Sequence, residues 1–283
     1  VSAIVFEGPT HAGGVAPAEP FHAKKRWTRF ILPTYAGLVM LYLVTPILIM
    51  ILYGFNNSGP KRVSFRWLGW SLYGYIHLFA KPDLTQALKN SLLVGVVSTI
   101  IATILGTLIA LALVRYRYRG RSATDFVLFL NISAPEIVLG ASLLSLFISF
   151  GVPRGIATII IAHVMFNIAY VAVTVRARLA GFDRSLEEAA GDLGASPMQT
   201  FVKVTLPIIW PGILAGGLLA FALSIDDFII TNFNAGTTQT FPLWVYGAVK
   251  VGIPPQVFVM GTLIFMGGVV IAAINVVAAR RKK

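Results

Sequence analysis

Long uninterrupted apolar runs constrain this chain more than any other feature. A helix needs about 20 residues to cross roughly 30 Å of hydrocarbon at 1.5 Å per residue. Charge-poor stretches near Phe30–Tyr53, Ser91–Val114, Phe126–Phe150, Ile156–Val175, Ile208–Thr231 and Val257–Ala279 all reach that length. The composition agrees: 57% of residues are hydrophobic and 12% charged, against roughly 25% charged in soluble domains. A water-soluble enzyme is thereby excluded, and the expected fold is all-α, a polytopic membrane protein of about six transmembrane helices. The absence of cysteine rules out disulfides, thiolate nucleophiles and Cys-based zinc or iron–sulfur sites.

The formal charge of +12 is distributed unevenly along the chain. Lys24, Lys25, Arg26 and Arg29 precede the first span, and Arg115, Arg117, Arg119 and Arg121 follow the second. Arg176, Arg178, Arg184 and Lys203 lie after the fourth, and Arg280, Arg281, Lys282 and Lys283 end the chain. The alternate connections are poorer, with Arg154 alone between spans three and four and Lys250 alone between five and six. The longer first loop holds Lys61, Arg62, Arg66 and Lys81, with Lys89 at its edge. The positive-inside rule then places both termini in the cytoplasm, and the surplus charge meets anionic headgroups rather than nucleic acid.

Residues 1–29 lack periodicity and read as a disordered basic cytoplasmic tail, residues 30–279 as the six-helix membrane domain, and residues 280–283 as a second basic tail. The first apolar run is too long for a typical signal peptide and has no clear cleavage site, so it is expected to remain as a helix. Trp67, Trp70, Tyr73 and Tyr75 in the first external loop are of the type that settles at a membrane–water boundary, which predicts a surface-lying segment.

The cytoplasmic loop between spans four and five, about residues 183–207, is the most specific local signal. Ser185 followed three positions later by Glu188 predicts a capped helix start, Gly194 a left-handed stop, and Ser196-Pro197 with Gln199 a second capped start. The resulting helix–turn–helix presents Leu186, Ala189, Ala190 and Leu193 at helical spacing, a surface for docking.

The same residues resemble a known family. Glu188-Ala189-Ala190, three residues, Gly194, nine residues, Val204, one residue and Leu206-Pro207 match the EAA loop of ATP-binding-cassette importer permeases, with Val204 where the family usually has Ile. The resemblance implies the type I importer permease fold and a coupling helix seated in a groove of a separate ATPase subunit. Leu186, Glu187, Glu188, Ala189, Ala190, Gly194, Ser196, Pro197, Leu206 and Pro207 are the implied coupling residues. Glu188 has two readings, capping its own helix or also contacting the ATPase.

No G-x-x-x-x-G-K-[ST] loop occurs in the chain, so it lacks the usual cradle for ATP and is expected to be non-catalytic. ATP and Mg are assigned to the partner ATPase, and no cofactor to this chain. The lack of H-E-x-x-H and the scatter of His11, His22, His77 and His163 also argue against a zinc hydrolase. His163 reads as a packed or pore-lining group.

Acids inside spans cost about 2.5–3.5 kcal/mol at a helix centre and mark pathways more often than packing. Glu136 follows Pro135 about ten residues into the third span, where proline predicts a kink. Asp226 and Asp227 lie in the outer part of span five. Ser224, Asp227, Thr231 and Asn234 fall at i, i+3, i+7 and i+10, one helical stripe, with Asp226 about 100° away. That spacing favours Asp227 as the pathway residue, alongside Glu136, Asp226, Ser224 and Thr231. Both aspartates ending the helix at an aqueous interface is the alternative. Asn131 and Asn167 read as interhelical hydrogen-bond partners.

Carboxylates beside aromatics suit an organic cation. The segments Leu223-Ser224-Ile225-Asp226-Asp227-Phe228, Phe241-Pro242-Leu243 and Val249-Lys250-Val251-Gly252-Ile253-Pro254-Pro255 resemble the spermidine/putrescine branch of these permeases. Branches that carry iron or thiamine share parts of the pattern. The resemblance implies one half of a translocation pathway in a bacterial cytoplasmic (inner) membrane. Its implied partners are an ATPase dimer, a second homologous permease subunit and an extracytoplasmic binding protein. An ion-coupled secondary transporter is the rival class, but the paired discontinuous helices of two repeats that would mark it are not evident.

Overall fold

The computed structural model describes residues 28–59, 63 and 66–280, so the expectation of a tail over residues 1–29 falls almost wholly outside them, as do residues 281–283. The first helix, α1 (Thr28–Gly54), contains a run from Phe30 to Gly54 apolar and long enough to span a bilayer. Residues up to Ile47 form one compact unit and those from Leu48 onward another, and the rest of the description concerns the second.

After α1 the chain makes a short helix, α2 (Tyr73–Ile76), then α3 (Pro82–Arg115), α4 (Arg121–Ser133), α5 (Glu136–Ser149) and α6 (Ile156–Ala180). The segment after α6 holds α7 (Ser185–Asp192) and the single turn α8 (Pro197–Thr200). A π-helical turn at Phe201–Thr205 leads into α9 (Leu206–Asp226), followed by α10 (Ile229–Asn234), α11 (Phe241–Val251) and α12 (Pro255–Arg280). The stretches Pro82–Arg115, Ile156–Ala180, Pro197–Asp226 and Pro255–Ile274 are each long and apolar enough to span. The pair α4 and α5 forms a further candidate span, bent by 110°. Together with α1 these are the six spans read from the sequence.

The second span begins at Pro82 rather than near Ser91, because Asp83 and Lys89 in its opening turns end an apolar scan early. The widened turn at 201–205 also has a sequence cause. Pro207 and Pro211 have no N–H to give the helical ladder, and just ahead of them the Leu206 N–H bonds Phe201 O in an i→i+5 pattern.

Helices α3, α6 and α9 pack on one another around a core of Ala110, Leu111, Val171, Val175, Ile209 and Ala220. Lipid supplies no hydrophobic drive between helices, so close approach through small residues matters. At Gly106 of α3 an added Cβ would lie 2.8 Å from Val171 Cβ and 2.9 Å from Ile168 O, so only glycine admits α6 there. The loop between α1 and α3 is tied by Asn56, whose carboxamide accepts the Leu68 N–H and donates to Arg66 O, both at 2.8 Å. Phe55 stacks on Tyr75 with centroids 4.7 Å apart, and Trp70 packs against Trp67 at 5.0 Å. The loop aromatics therefore hold the loop together as well as suiting a membrane boundary.

Candidate functional site

Two helix breaks build an acidic cavity inside the bundle. The first lies in the third span, where Ala134 and Pro135 are extended (ψ 137° and 132°) and Pro135 has no N–H for the ladder. The predicted kink is a full interruption, and Glu136 becomes the first residue of α5 rather than an interior position. One turn on, Gly140 lets α5 touch α10, since a Cβ there would stand 2.8 Å from the Phe233 ring.

The second break corrects the reading of span five. Helix α9 ends at Asp226, Asp227 is extended (ψ 123°), and α10 restarts at Ile229. Asp227 caps the restart: its carboxylate accepts the N–H groups of Ile230 at 3.3 Å and Thr231 at 2.7 Å, satisfying donors at the start of α10 that a continuous helix would bond to backbone. Ser224, Asp227, Thr231 and Asn234 consequently do not form one stripe on one helix. Asn234 is buried, donating to Ile230 O at 2.8 Å.

Ser224, Asp227 and Thr231 are nevertheless brought together, around His163 of α6. The imidazole Nδ1 lies 2.5 Å from Ser224 Oγ, and Nε2 lies 2.9 Å from Thr231 Oγ1 and 3.3 Å from Asp227 Oδ2. Thr231 Oγ1 donates to Asp227 Oδ2 at 2.7 Å, and Ser98 of α3 meets Ser224 at 3.0 Å. Every polar atom of this chain, from Ser98 through Ser224 and the imidazole to Thr231 and Asp227, has a partner within it. The Ser–His–Asp order is not a hydrolytic centre, because Ser224 is 5% exposed and its hydroxyl is already committed at both ends. The sequence assigned His163 only a packed or lining role, since nothing in one strand of text pairs position 163 with 224–231.

Access separates the two neighbouring aspartates. Asp227 has a side chain 6% exposed and paired with His163. Asp226 borders a cavity of about 360 Å³ shared with Glu136, Phe166, Asp227 and Phe228, and a second of about 590 Å³ walled by Phe228, Phe241, Tyr246 and Phe265. Phe228 and Tyr246 pack with centroids 4.7 Å apart, and the Lys250 ammonium sits 5.5 Å above the Tyr246 ring, a cation held on this aromatic wall. The helical-stripe reading favoured Asp227; the break leaves Asp226 as the acid common to both cavities. Among the described residues no group of three or more His, Asp or Glu side chains is placed to hold a metal ion. Of the two asparagines expected to bridge helices, Asn131 does so, donating to Met165 O at 3.0 Å, whereas the buried Asn167 amide has no partner.

The segment 183–207 forms the second candidate site. Helix α7 does not open on the expected Ser185–Glu188 box. Arg184 occupies the N-cap without a side-chain bond, and Asp183 Oδ1 accepts the Ser185 N–H at 3.0 Å, so the donor is met one position earlier. That N–H and the Ser185 hydroxyl hold the Asp183 carboxyl below the ordinary carboxylate range. The stop is as read: Gly194 has φ +83°, Ala195 N–H reaches Ala190 O at 3.0 Å and Gly194 N–H reaches Gly191 O at 2.8 Å, the paired closure of a Schellman motif. The second box is formed as well, Gln199 N–H bonding Ser196 Oγ and Ser196 N–H bonding Gln199 Oε1.

Leu186, Leu193 and Met198 stand out from this loop, Leu193 being 90% exposed. Glu188 is exposed and caps nothing. Glu187 is the acid that points inward: it pairs with Arg115 at the end of α3 and accepts from Thr205 Oγ1, while Arg115 donates to Thr205 at 3.0 Å. Arg184 also donates to Val114 O at 2.9 Å. Thus α7 is tied to the cytoplasm-assigned end of α3 by two arginines whose positions, 72 and 70 residues from their partners, give no local pattern.

A broken-helix bundle carrying this loop defines a permease subunit, and residues 102–283 match the family model "binding-protein-dependent transport system inner membrane component". The chain belongs to that family. Among its relatives it is 38% identical over 242 residues to the spermidine/putrescine transport permease PotC of Escherichia coli K12, covering 85% of this chain and 90% of that one. It is 41% identical over 231 residues to the putrescine transport permease PotI of the same organism, covering 79% and 81%. The fold is also that of a subunit of a bacterial ABC transporter that imports alginate, with a TM-score of 0.67 at 15% identity over 90% of this chain and 95% of that one.

Proposed function

We propose that this chain forms one half of the translocation pathway of an ATP-driven polyamine importer, carrying spermidine or putrescine across a bacterial cytoplasmic membrane. The observation that carries the substrate class is the cavity that Glu136, Asp226 and Asp227 line together with Phe166 and Phe228. Carboxylates lining a cavity beside aromatic rings suit a chain bearing separated ammonium groups. One charge pair at 4 Å and an effective dielectric of 20 is worth about 4 kcal/mol, similar to the cost of holding the acid among apolar helices. The names of the PotC and PotI relatives point the same way.

In this reading Glu136 and Asp226 meet the substrate, and Ser224, Asp227 and Thr231 belong to the pathway as its framework. Leu186, Glu188, Ala189, Leu193 and the capped turns around Gly194, Ser196 and Pro197 dock on one subunit of an ATPase dimer, which binds ATP and Mg. Glu187, Ala190, Leu206 and Pro207 anchor that docking element to the bundle. A second homologous permease completes the pathway, and an extracytoplasmic binding protein delivers substrate to the outer loops. Both termini face the cytoplasm, with the arginine-rich connections on that side.

The test is ATP-driven uptake of labelled spermidine and putrescine into vesicles holding the chain with its co-encoded partners. Asp226→Asn is expected to raise KM by about tenfold or more, since a hydrogen bond to a charged group is worth roughly 1.5–3 kcal/mol, and Glu136→Gln to do so less strongly. An assembled complex in which neither polyamine is taken up or stimulates ATP hydrolysis would sink the substrate assignment.

A further inference from the structure

The break between α9 and α10 is held open from outside the segment it interrupts. Helix α9 stops at Asp226, so its last carbonyls, those of residues 223–226, lack partners within the helix and carry the negative end of its dipole. A continuous helix would consume those carbonyls and stack another turn over residue 226. The Asp227 carboxylate caps the restart, and one side chain from another helix bonds to both sides of the break. His163, 2% exposed, reaches Ser224 before it at 2.5 Å, and Thr231 and Asp227 beyond its start at 2.9 and 3.3 Å.

We propose that His163 is the positioning residue of the cation cavity. By stapling Ser224 to Asp227 and Thr231 it keeps α9 ended at Asp226, so that this carboxylate stands at the cavities. His163 borders neither cavity and acts only through these partners. The polyamine aspect rests on the function proposed above; the placement of residue 226 does not.

Two readouts test it in the assembled transporter. In polyamine uptake, His163→Leu is expected to raise KM about tenfold, the scale of one or two lost hydrogen bonds to a charged group, with Vmax within about twofold. His163→Gln, which keeps a donor and an acceptor, restores most of the affinity. In an Asp226→Asn background His163→Leu adds nothing further to KM, because the group it positions is gone. A fall in Vmax at constant KM, or additive effects in the double variant, overturns the proposal.

The second readout needs no substrate. The chain has no cysteine, so Asp226→Cys carries a single thiol, labelled with a cationic methanethiosulfonate reagent. Labelling is expected to slow about tenfold when His163→Leu is added, an effect of roughly 1.4 kcal/mol, and to recover with His163→Gln. Equal labelling in all backgrounds overturns the proposal. If wild-type complexes transport no polyamine, the substrate assignment fails and the thiol result alone decides the role of His163.

Discussion

Asp226 and Asp227 are adjacent in the chain and both line the smaller cavity, but only Asp226 borders the larger one, while Asp227 is committed to His163, Thr231 and the start of α10. Insertion cost marks both acids as unusual within the apolar run, but it does not say which is solvated. That difference is set by a single extended residue, and helical-wheel geometry assumes no such residue exists. Other side chains carry testable energies. The Asn167 amide is 0% exposed with neither Nδ2 nor Oδ1 bonded, and an unmet buried polar group costs about 1–3 kcal/mol. Asn167→Leu is therefore expected to raise the melting temperature in detergent; a lower value would mean that the amide has a partner in the assembled transporter. Gly106→Ala is expected to cost about 1–3 kcal/mol by overpacking, read in the same melting experiment, since Val171 and the Ile168 carbonyl leave no room for a methyl group.

Among the elements, the loop between α6 and α9 was the most legible in advance. Its Gly194 stop and Ser196–Gln199 box depend on neighbours within a few residues, and both formed. The Ser185–Glu188 box failed because Asp183 reaches the Ser185 N–H from two residues away. Helix α11 was read only as part of a connection, since its 11 residues are too few to span and hydropathy alone gives no reason to fold them. Its signal was Pro242, a residue suited to a first helical turn. The Arg115–Glu187–Thr205 contact links α7 to α3 and to the π-helical turn. Arg115→Glu or Glu187→Arg alone is expected to cut uptake while ATP hydrolysis continues, and the double reversal to recover at least part of the coupling. Equal loss in single and double variants would show that the pair does not transmit the motion. Gly194→Ala places a Cβ at φ +83°, a cost of about 1–2 kcal/mol, and is expected to loosen coupling without preventing insertion.

At the scale of the molecule, α3, α6 and α9 form the packed centre, and the cavity lies where α5, α9 and α10 are interrupted against it. The break that holds Asp226 and Asp227 is braced by helices from elsewhere in the bundle: Ser98 from α3 and His163 from α6. A cavity built this way can be opened and closed by moving rigid helices rather than by unfolding them. In vesicles bearing the complete assembly, uptake is expected to stop with vanadate and to survive a protonophore. The reverse pattern would favour an ion-coupled carrier that uses the same carboxylates.

The sequence by itself determined the membrane class, the apolar stretches that make the candidate spans and the capped turns of the 183–207 loop, because span length, apolar runs and capping are properties of contiguous residues. It also singled out the acids, since an acid within an apolar run is visible without any neighbour. Only the tertiary structure decided that Glu136 begins a helix, that Asp226 rather than Asp227 commands the cavities, and that His163 joins both sides of a break 61 and 68 residues away. The reason is physical: continuing or interrupting a helix is a balance of a few backbone bonds, and here side chains from distant helices supply the bonds that tip it.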